Sequence, residues 1–389
     1  MKLPVYLDYH ATTPCDPRVV EAMLPYFTDV FGNPSSRSHA FGRAAEDAVE
    51  DARRRVGALI GARPAEIVFT SCATEANNLA ILGAACSRKK VGDGRHVVST
   101  TIEHKSVIEP INSLEGDGFE VTRVPVDRTG MVDPADVAAA LRDDTILVSV
   151  MLANNEIGTI EPLAEIARLA HEVGAWVHTD AVQAVGKIPF HVDELDVDLL
   201  SISAHKFYGP KGVGALYVRS KPRRMKLEPG CFGGGQERGL RSGTHNVPGI
   251  VGLGQAADLA AAERESEAVR VGALRDRLEK GLLESVDGIE VNGHPQRRLP
   301  HNLNVTIPFV DGEALLLSLH DIAVSSGSAC RSSTPGASHV MKALGRADDE
   351  GRSSVRFGLG RWTTEEEIDY AVGRVAETVR RLREMSLQP

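Results

Sequence analysis

Between about residues 45 and 220 the chain alternates short apolar runs with helix-patterned segments, and this rhythm narrows its fold more than any other feature. The runs predict strands at 66–70, 96–100, 119–124, 146–151, 176–178, 199–203 and 214–218, with helices between them such as 74–85 and 162–173. Elements alternating in this way predict a mostly parallel sheet of seven strands covered by helices on both faces. In such sheets ligands sit beyond the carboxyl ends of the strands. Polar residues just past a strand therefore become the first candidates for function.

A different pattern follows residue 254. A long, charged helical stretch from 255 to about 286 leads to a strand near 301–307, a helix at 312–319, strands at 322–326 and 354–357, and a helix at 365–381. This reads as a smaller α+β domain. The expected organisation is a large domain over 15–255 and a small one over 256–389, joined by the N-terminal segment 1–14. A chain of 389 residues suits one large and one smaller core.

Composition removes several classes. A formal net charge of −9 gives little support to nucleic-acid binding. No apolar run approaches the roughly 18 residues of a membrane span, so no membrane partner is expected. The opening residues MKLPVYLD lack the apolar core of a signal peptide. The five cysteines, at 15, 72, 86, 231 and 330, include no Cys-x-x-Cys pair, which predicts neither a disulfide framework nor a zinc site. A reducing, cytoplasmic setting is expected.

Two residues gain meaning together. Asp180 follows the run Trp176-Val177-His178, and Lys206 follows the run ending at Ser203. Alone, the first reads as a solvated loop aspartate or helix cap and the second as a surface lysine. As the ends of two successive parallel strands, they offer what pyridoxal 5'-phosphate (PLP) requires. A lysine forms the Schiff base, and a carboxylate keeps the pyridinium nitrogen protonated so that the ring can accept electrons. The segment Thr70-Ser71-Cys72-Ala73-Thr74-Glu75 is a strand end followed by small residues and a helix start, which suits a phosphate. Ser203 and His205 flank the lysine and can add donors. Glycines 209, 212 and 214 let the backbone turn after it, with the wrong spacing for a dinucleotide fingerprint.

Three further residues complete the candidate set. His104 lies just past the 96–100 run; it reads alone as a cap or surface residue, and in a PLP site as a ring-stacking acid/base. Arg356 sits in an apolar strand, where a buried guanidinium needs a partner: a substrate carboxylate or an internal salt bridge. Cys330 lies in the Ser-, Gly- and Pro-rich stretch SSGSACRSSTPG, a loop setting beside Arg331 that suits a reactive thiolate. Cys86 reads as a core residue on a helix. Cys15, Cys72 and Cys231 have no clear nucleophile setting.

These residues and their order resemble the cysteine desulfurases (NifS/IscS-like) of the class V aminotransferase superfamily, PLP enzymes of fold type I. The resemblance runs through LDYHATTP from Leu7, GNPSS from Gly32, the stretch 69–78, ANNEIG from Ala153, HTDAVQ from His178, 203–214, RSGT from Arg241, 325–330 and 356–361. It implies a PLP transferase fold and a sulfurtransferase that takes sulfur from L-cysteine, leaving L-alanine and a persulfide on Cys330. The implied acceptor is an iron–sulfur scaffold or a thio-modification protein.

The resemblance also implies roles. Lys206 would hold PLP and move protons, and Asp180 would meet the ring nitrogen. Asn155 and Gln183 would contact the ring oxygen or atoms near it. Ala73, Thr74, Ser203 and His205 would hold the phosphate, and Thr244 would reach the phosphate of the second subunit of a homodimer. Asn33 and Arg356 would bind the substrate carboxylate. No resident metal is implied, Cys330 touching metal only in a transient cluster with a scaffold partner. His10 stands where the family often has alanine, and Cys72 where it often has glycine. Some members dock the scaffold with a longer tail than the one ending here at Pro389. Activity on selenocysteine, another class V lyase or transaminase chemistry, and a non-catalytic partner protein stay open as alternatives.

Overall fold

The computed structural model describes residues 2–223, 225–326 and 337–386. Its strands are β1 (Val5–Tyr6), β2 (Ile67–Thr70), β3 (His96–Thr100), β4 (Glu120–Val124), β5 (Thr145–Ser149), β6 (Trp176–Asp180), β7 (Leu199–Ser203), β8 (Gly214–Val218), β9 (Glu290–Asn292), β10 (Asn302–Thr306), β11 (Ile322–Ala323) and β12 (Ser354–Gly358). All seven strands expected in the first half assemble into one sheet, in the order β2-β8-β7-β6-β5-β3-β4. Only β8 runs against its neighbours; the other pairings are parallel.

Side chains alternate between the two faces of this sheet, as a pleated strand requires. Val98, Leu200 and Tyr217 enter one apolar core, while their neighbours Val97, Leu199 and Leu216 enter another. Helices Ala73–Val91 and Lys105–Gly116 cover the second face with Leu79, Ile81, Val107 and Leu114. Helices Ala40–Ile60 and Leu163–Glu172 cover the first. Burial on both faces is why these strands read as continuous apolar runs. The edge strand β4 is more exposed and correspondingly polar.

The second half forms a three-stranded antiparallel sheet, β12-β10-β9. The long helix is Val247–Ser285, starting eight residues before its expected position. Its start is set by the Asn246 side chain, which caps Gly249 N–H, and by Pro248 in the first turn. The boundary expected at 255/256 thus falls inside one continuous helix. Val247, Ile250, Leu253 and Ala257 pack into the large core, and Val271, Leu274, Leu278 and Leu282 into the core of the smaller sheet.

Two expectations need correction, and one strand went unread. The strand expected at 322–326 is shorter, Ile322–Ala323, and pairs with β1; past it, Ser325 makes an isolated antiparallel bridge to Arg356 of β12. The third strand of the three-stranded sheet is β9, which sequence patterning missed. Cys86 lies on helix Ala73–Val91 as expected but is exposed, because the apolar stripe of that helix passes through Ala84 and Ala85 instead. The N-terminal segment spans both halves. β1 pairs with β11, Tyr9 N–H donates to Gly358 O at 3.2 Å, and Thr13 N–H and Oγ1 each donate to His205 O at 2.9 Å.

Candidate active site

The carboxyl ends of β2, β3, β5, β6 and β7 open onto one cavity of about 270 Å³. Ala73, Thr74, His104, Asn155, Asp180, Gln183, Ser203, His205, Lys206 and Arg356 all line it. Two expected members do not. Asn33 is exposed, with its Oδ1 accepting from Ser35 N–H, and Thr244 lies in a separate hollow with Arg241 and Asn246. Cys330 and Arg331 lie outside the described residues.

Asp180 is the last residue of β6 and is buried. Its carboxylate accepts from Val182 N–H at 3.0 Å and from Asn77 Nδ2 at 2.8 Å. Lys206 closes the short helical turn Ala204–Lys206 that follows β7. Its Nζ donates to the carbonyl oxygens of His10 and, at 2.9 Å, Ala11. The carboxylate and the amine thus reach one cavity from adjacent parallel strands.

Asn77 also fixes the state of His104. Its Nδ2 donates both to Asp180 and to Ser106 Oγ, the latter at 2.8 Å. Ser106 Oγ, accepting there, is left to donate to His104 Nδ1 at 2.7 Å, where Ser106 N–H also points at 3.1 Å. Nδ1 is therefore an acceptor, and the ring carries its proton on Nε2. Burial pushes the His104 pKa below its ordinary value, with Asp180 opposing and Lys206 reinforcing the shift.

The opposite end of the cavity suits an anion. Helix Ala73–Val91 begins there, and its N-cap, Cys72, makes no side-chain cap bond, so its first N–H groups are available. Ser203 Oγ is buried without a hydrogen-bond partner among the described residues. A buried orphan hydroxyl beside a helix N-terminus is what a phosphate would satisfy. Burial first, then Lys206 and Lys211, push His205 down to about 4, so its ring is neutral. Gly214 faces this end: a Cβ there would stand 2.5 Å from Ile202 O and 2.9 Å from Cys72 C, so only glycine lets β8 start so close to the helix.

Arg356 lies on β12 with its side chain buried. It donates to Asp8 Oδ1 at 2.9 Å and to Asn155 O at 2.8 Å. The internal salt bridge considered for it exists, and the same residue lines the cavity.

Sequence reasoning missed Asn77, Glu103, His339 and the placement of Cys72. Asn77 carried a readable signal, a polar residue on the stripe otherwise made by Ala76, Ala80 and Ala84. Glu103 carried none. Burial pushes it up to about 8, with Thr100 Oγ1 and Met151 N–H donating to its Oε1. Cys72 and His339 line the cavity. Among the described residues no group of three or more His, Cys, Asp or Glu side chains could hold a metal ion.

A parallel sheet with a lysine, a carboxylate and an anion cradle at its strand ends defines a PLP-dependent enzyme of fold type I. Residues 5–371 match the aminotransferase class-V family. The chain is 59% identical over 386 residues to cysteine desulfurase IscS of Anaeromyxobacter dehalogenans, covering 99% of this chain and 95% of that one. A solved NifS-like protein superposes with a TM-score of 0.90 at 40% identity, covering 97% of this chain and all of the other. SspA, solved in complex with cysteine, superposes at 0.82 with 38% identity, covering 92% of this chain and 100% of the other. The chain belongs to the class-V aminotransferases and, within them, to the cysteine desulfurases. Its cofactor is PLP.

Proposed function

We propose that this protein takes sulfur from L-cysteine and carries it as a persulfide on Cys330, releasing L-alanine. The observation that carries this reading is the convergence of Asp180 and Lys206 from adjacent strands on a cavity that Arg356 also lines. The bound PLP ring supplies an electron sink. Lys206 holds it and moves protons beside the substrate Cα. Asp180, fixed by Asn77, would keep the ring nitrogen protonated, and His104, with a proton on Nε2 to give, would face the ring from the cavity wall. Ala73, Thr74, Ser203 and His205 take the phosphate, and Asn155 and Gln183 take the ring oxygen side. Arg356 grips the substrate carboxylate. The Cys330 thiolate attacks the substrate sulfur. An S–S bond forms as the carbon–sulfur bond breaks, the electron pair of that bond stays with carbon, and a proton completes the methyl group of alanine.

Asn33 and Thr244, outside the cavity of their own chain, act in a homodimer. The exposed Leu24, Phe27, Phe31 and Phe41 support an apolar contact beside Asn33. An iron–sulfur scaffold or other acceptor protein then collects the sulfur. Among the described residues no helix is long and apolar enough to cross a membrane.

The test incubates the purified protein with L-cysteine and a reductant and assays alanine and sulfide. Equal amounts of both support the reading. Transamination products without sulfide overturn it. Lys206→Ala should lose the yellow, lysine-linked cofactor and turnover, and an unchanged covalent adduct in that variant removes Lys206 from its role.

A further inference from the structure

His10 is buried against the cavity with both ring nitrogens engaged. Its Nδ1 lies 2.9 Å from Gln183 Oε1, and its Nε2 lies 3.1 Å from Asn302 Nδ2. Two backbone carbonyls, which can only accept, decide the direction of both bonds. Asn302 Nδ2 also donates to Glu156 O at 3.1 Å, which fixes that end of the amide as nitrogen; His10 Nε2 must then accept. Gln183 Nε2 donates to the carbonyl oxygen of His10 itself at 3.2 Å, which fixes the other end of that amide as oxygen; His10 Nδ1 must then donate. Only the neutral tautomer protonated on Nδ1 satisfies both. The Nε2–H tautomer would set donor against donor at Asn302 and acceptor against acceptor at Gln183, and the imidazolium would also fail at Asn302.

The surroundings agree. Burial foremost, with the positive charges of Arg356, Lys206 and Lys187, drives the His10 pKa well below its ordinary value. His301, likewise buried and driven to the neutral form, stacks on the ring at 4.3 Å.

We infer that His10 is a positioning residue that locks the Gln183 amide with its nitrogen toward the cavity, making Gln183 a fixed hydrogen-bond donor to the phenolic oxygen of PLP. One N–H of Gln183 is committed to His10 O, and the second is uncommitted among the described residues on a side chain that lines the cavity. The inference rests on the placement of PLP proposed above. An alanine at position 10 would leave Gln183 Oε1 without this donor and the amide free to turn over. Here the lock is part of the chain, and the same carbonyl of His10 that holds Gln183 also holds Lys206.

Two measurements test this. Long-range nitrogen–proton NMR of the cofactor-free wild type should find His10 neutral at pH 7 with its proton on Nδ1; an Nε2–H tautomer or an imidazolium overturns the lock and needs no variant to fold. On the holoenzyme, the pH midpoint of the visible band of the lysine-linked cofactor reads the donor directly. Gln183→Leu removes the donor, leaves the phenolic oxygen more basic and should raise the midpoint by about one unit. His10→Leu should raise it by the same amount, with no further shift in the double variant. His10→Gln, which can donate to Gln183 and accept from Asn302, should restore the wild-type midpoint. A shift in Gln183→Leu without one in His10→Leu overturns the role of His10. No shift in Gln183→Leu overturns instead the placement of the cofactor on which the inference stands.

Discussion

Arg356 of β12 and Asp8 of the N-terminal segment form an ion pair at 2.9 Å, with the Arg356 side chain buried. The same guanidinium donates to Asn155 O, so it is held from two directions before any substrate arrives. A preorganised planar fork grips a carboxylate with little loss of freedom, and a lysine ammonium cannot copy that geometry. Arg356→Lys should raise KM for cysteine by about tenfold or more, the worth of a charge-assisted hydrogen bond, while PLP content stays at the wild-type level. Asp8→Asn should raise KM by a smaller factor in the same direction. Unchanged KM in both variants contradicts the role.

Ser106 transmits the order imposed by Asn77 on His104. Ser106→Ala removes the hydroxyl that donates to His104 Nδ1 and leaves the Ser106 backbone donor in place. A positioned acid/base contributes about 10²–10⁴-fold, and loosening its tautomer should cost part of that, about tenfold in kcat. PLP content and KM should hold. An unchanged kcat, or loss of cofactor together with kcat, contradicts this account of His104.

Glu103 makes stability depend on pH. Burial raises its folded pKa to about 8 from the ordinary carboxyl value of 4.5, so the folded state binds the proton more tightly than the unfolded chain does. Its contribution is fully present below pH 4.5 and is lost as pH rises toward 8, at a slope of at most about 1.4 kcal/mol per pH unit. Glu161, raised to about 8 by burial as well, adds a similar slope of its own. Glu103→Gln keeps the oxygen that Thr100 and Met151 use and removes one titration. Denaturant unfolding at pH 5, 6, 7 and 8 should show the variant gaining on the wild type as pH rises. A constant difference across the series means that Glu103 does not titrate in this range.

The site was legible where chemistry coincides with strand ends. Asp180, Lys206 and His104 each follow an apolar run, and a parallel sheet brings such positions to one edge whatever the loop details. The sheet was legible for a related reason: strands such as Thr145–Ser149 and Leu199–Ser203 are buried along their whole length and read as unbroken apolar runs. β9 escaped because Glu-Val-Asn lies at the edge of its sheet and carries one apolar residue. Glu103 and Ser106 escaped because their roles lie in pairings with Met151 and Asn77 that no local pattern encodes. Asn33 and Thr244 rest on the family resemblance, and a single chain does not bring them to its own cavity.

The central claim is that sulfur leaves the substrate on Cys330. Mass spectrometry of protease digests after treatment of the holoenzyme with L-cysteine tests it most directly. The peptide containing Cys330 should gain one sulfur, reversible by reductant, and Cys330→Ser should bind PLP normally yet gain none and release almost no sulfide. The added sulfur appearing instead on the peptide of Cys72, which lines the cavity, or of the exposed Cys231, or full activity in Cys330→Ser, would contradict it.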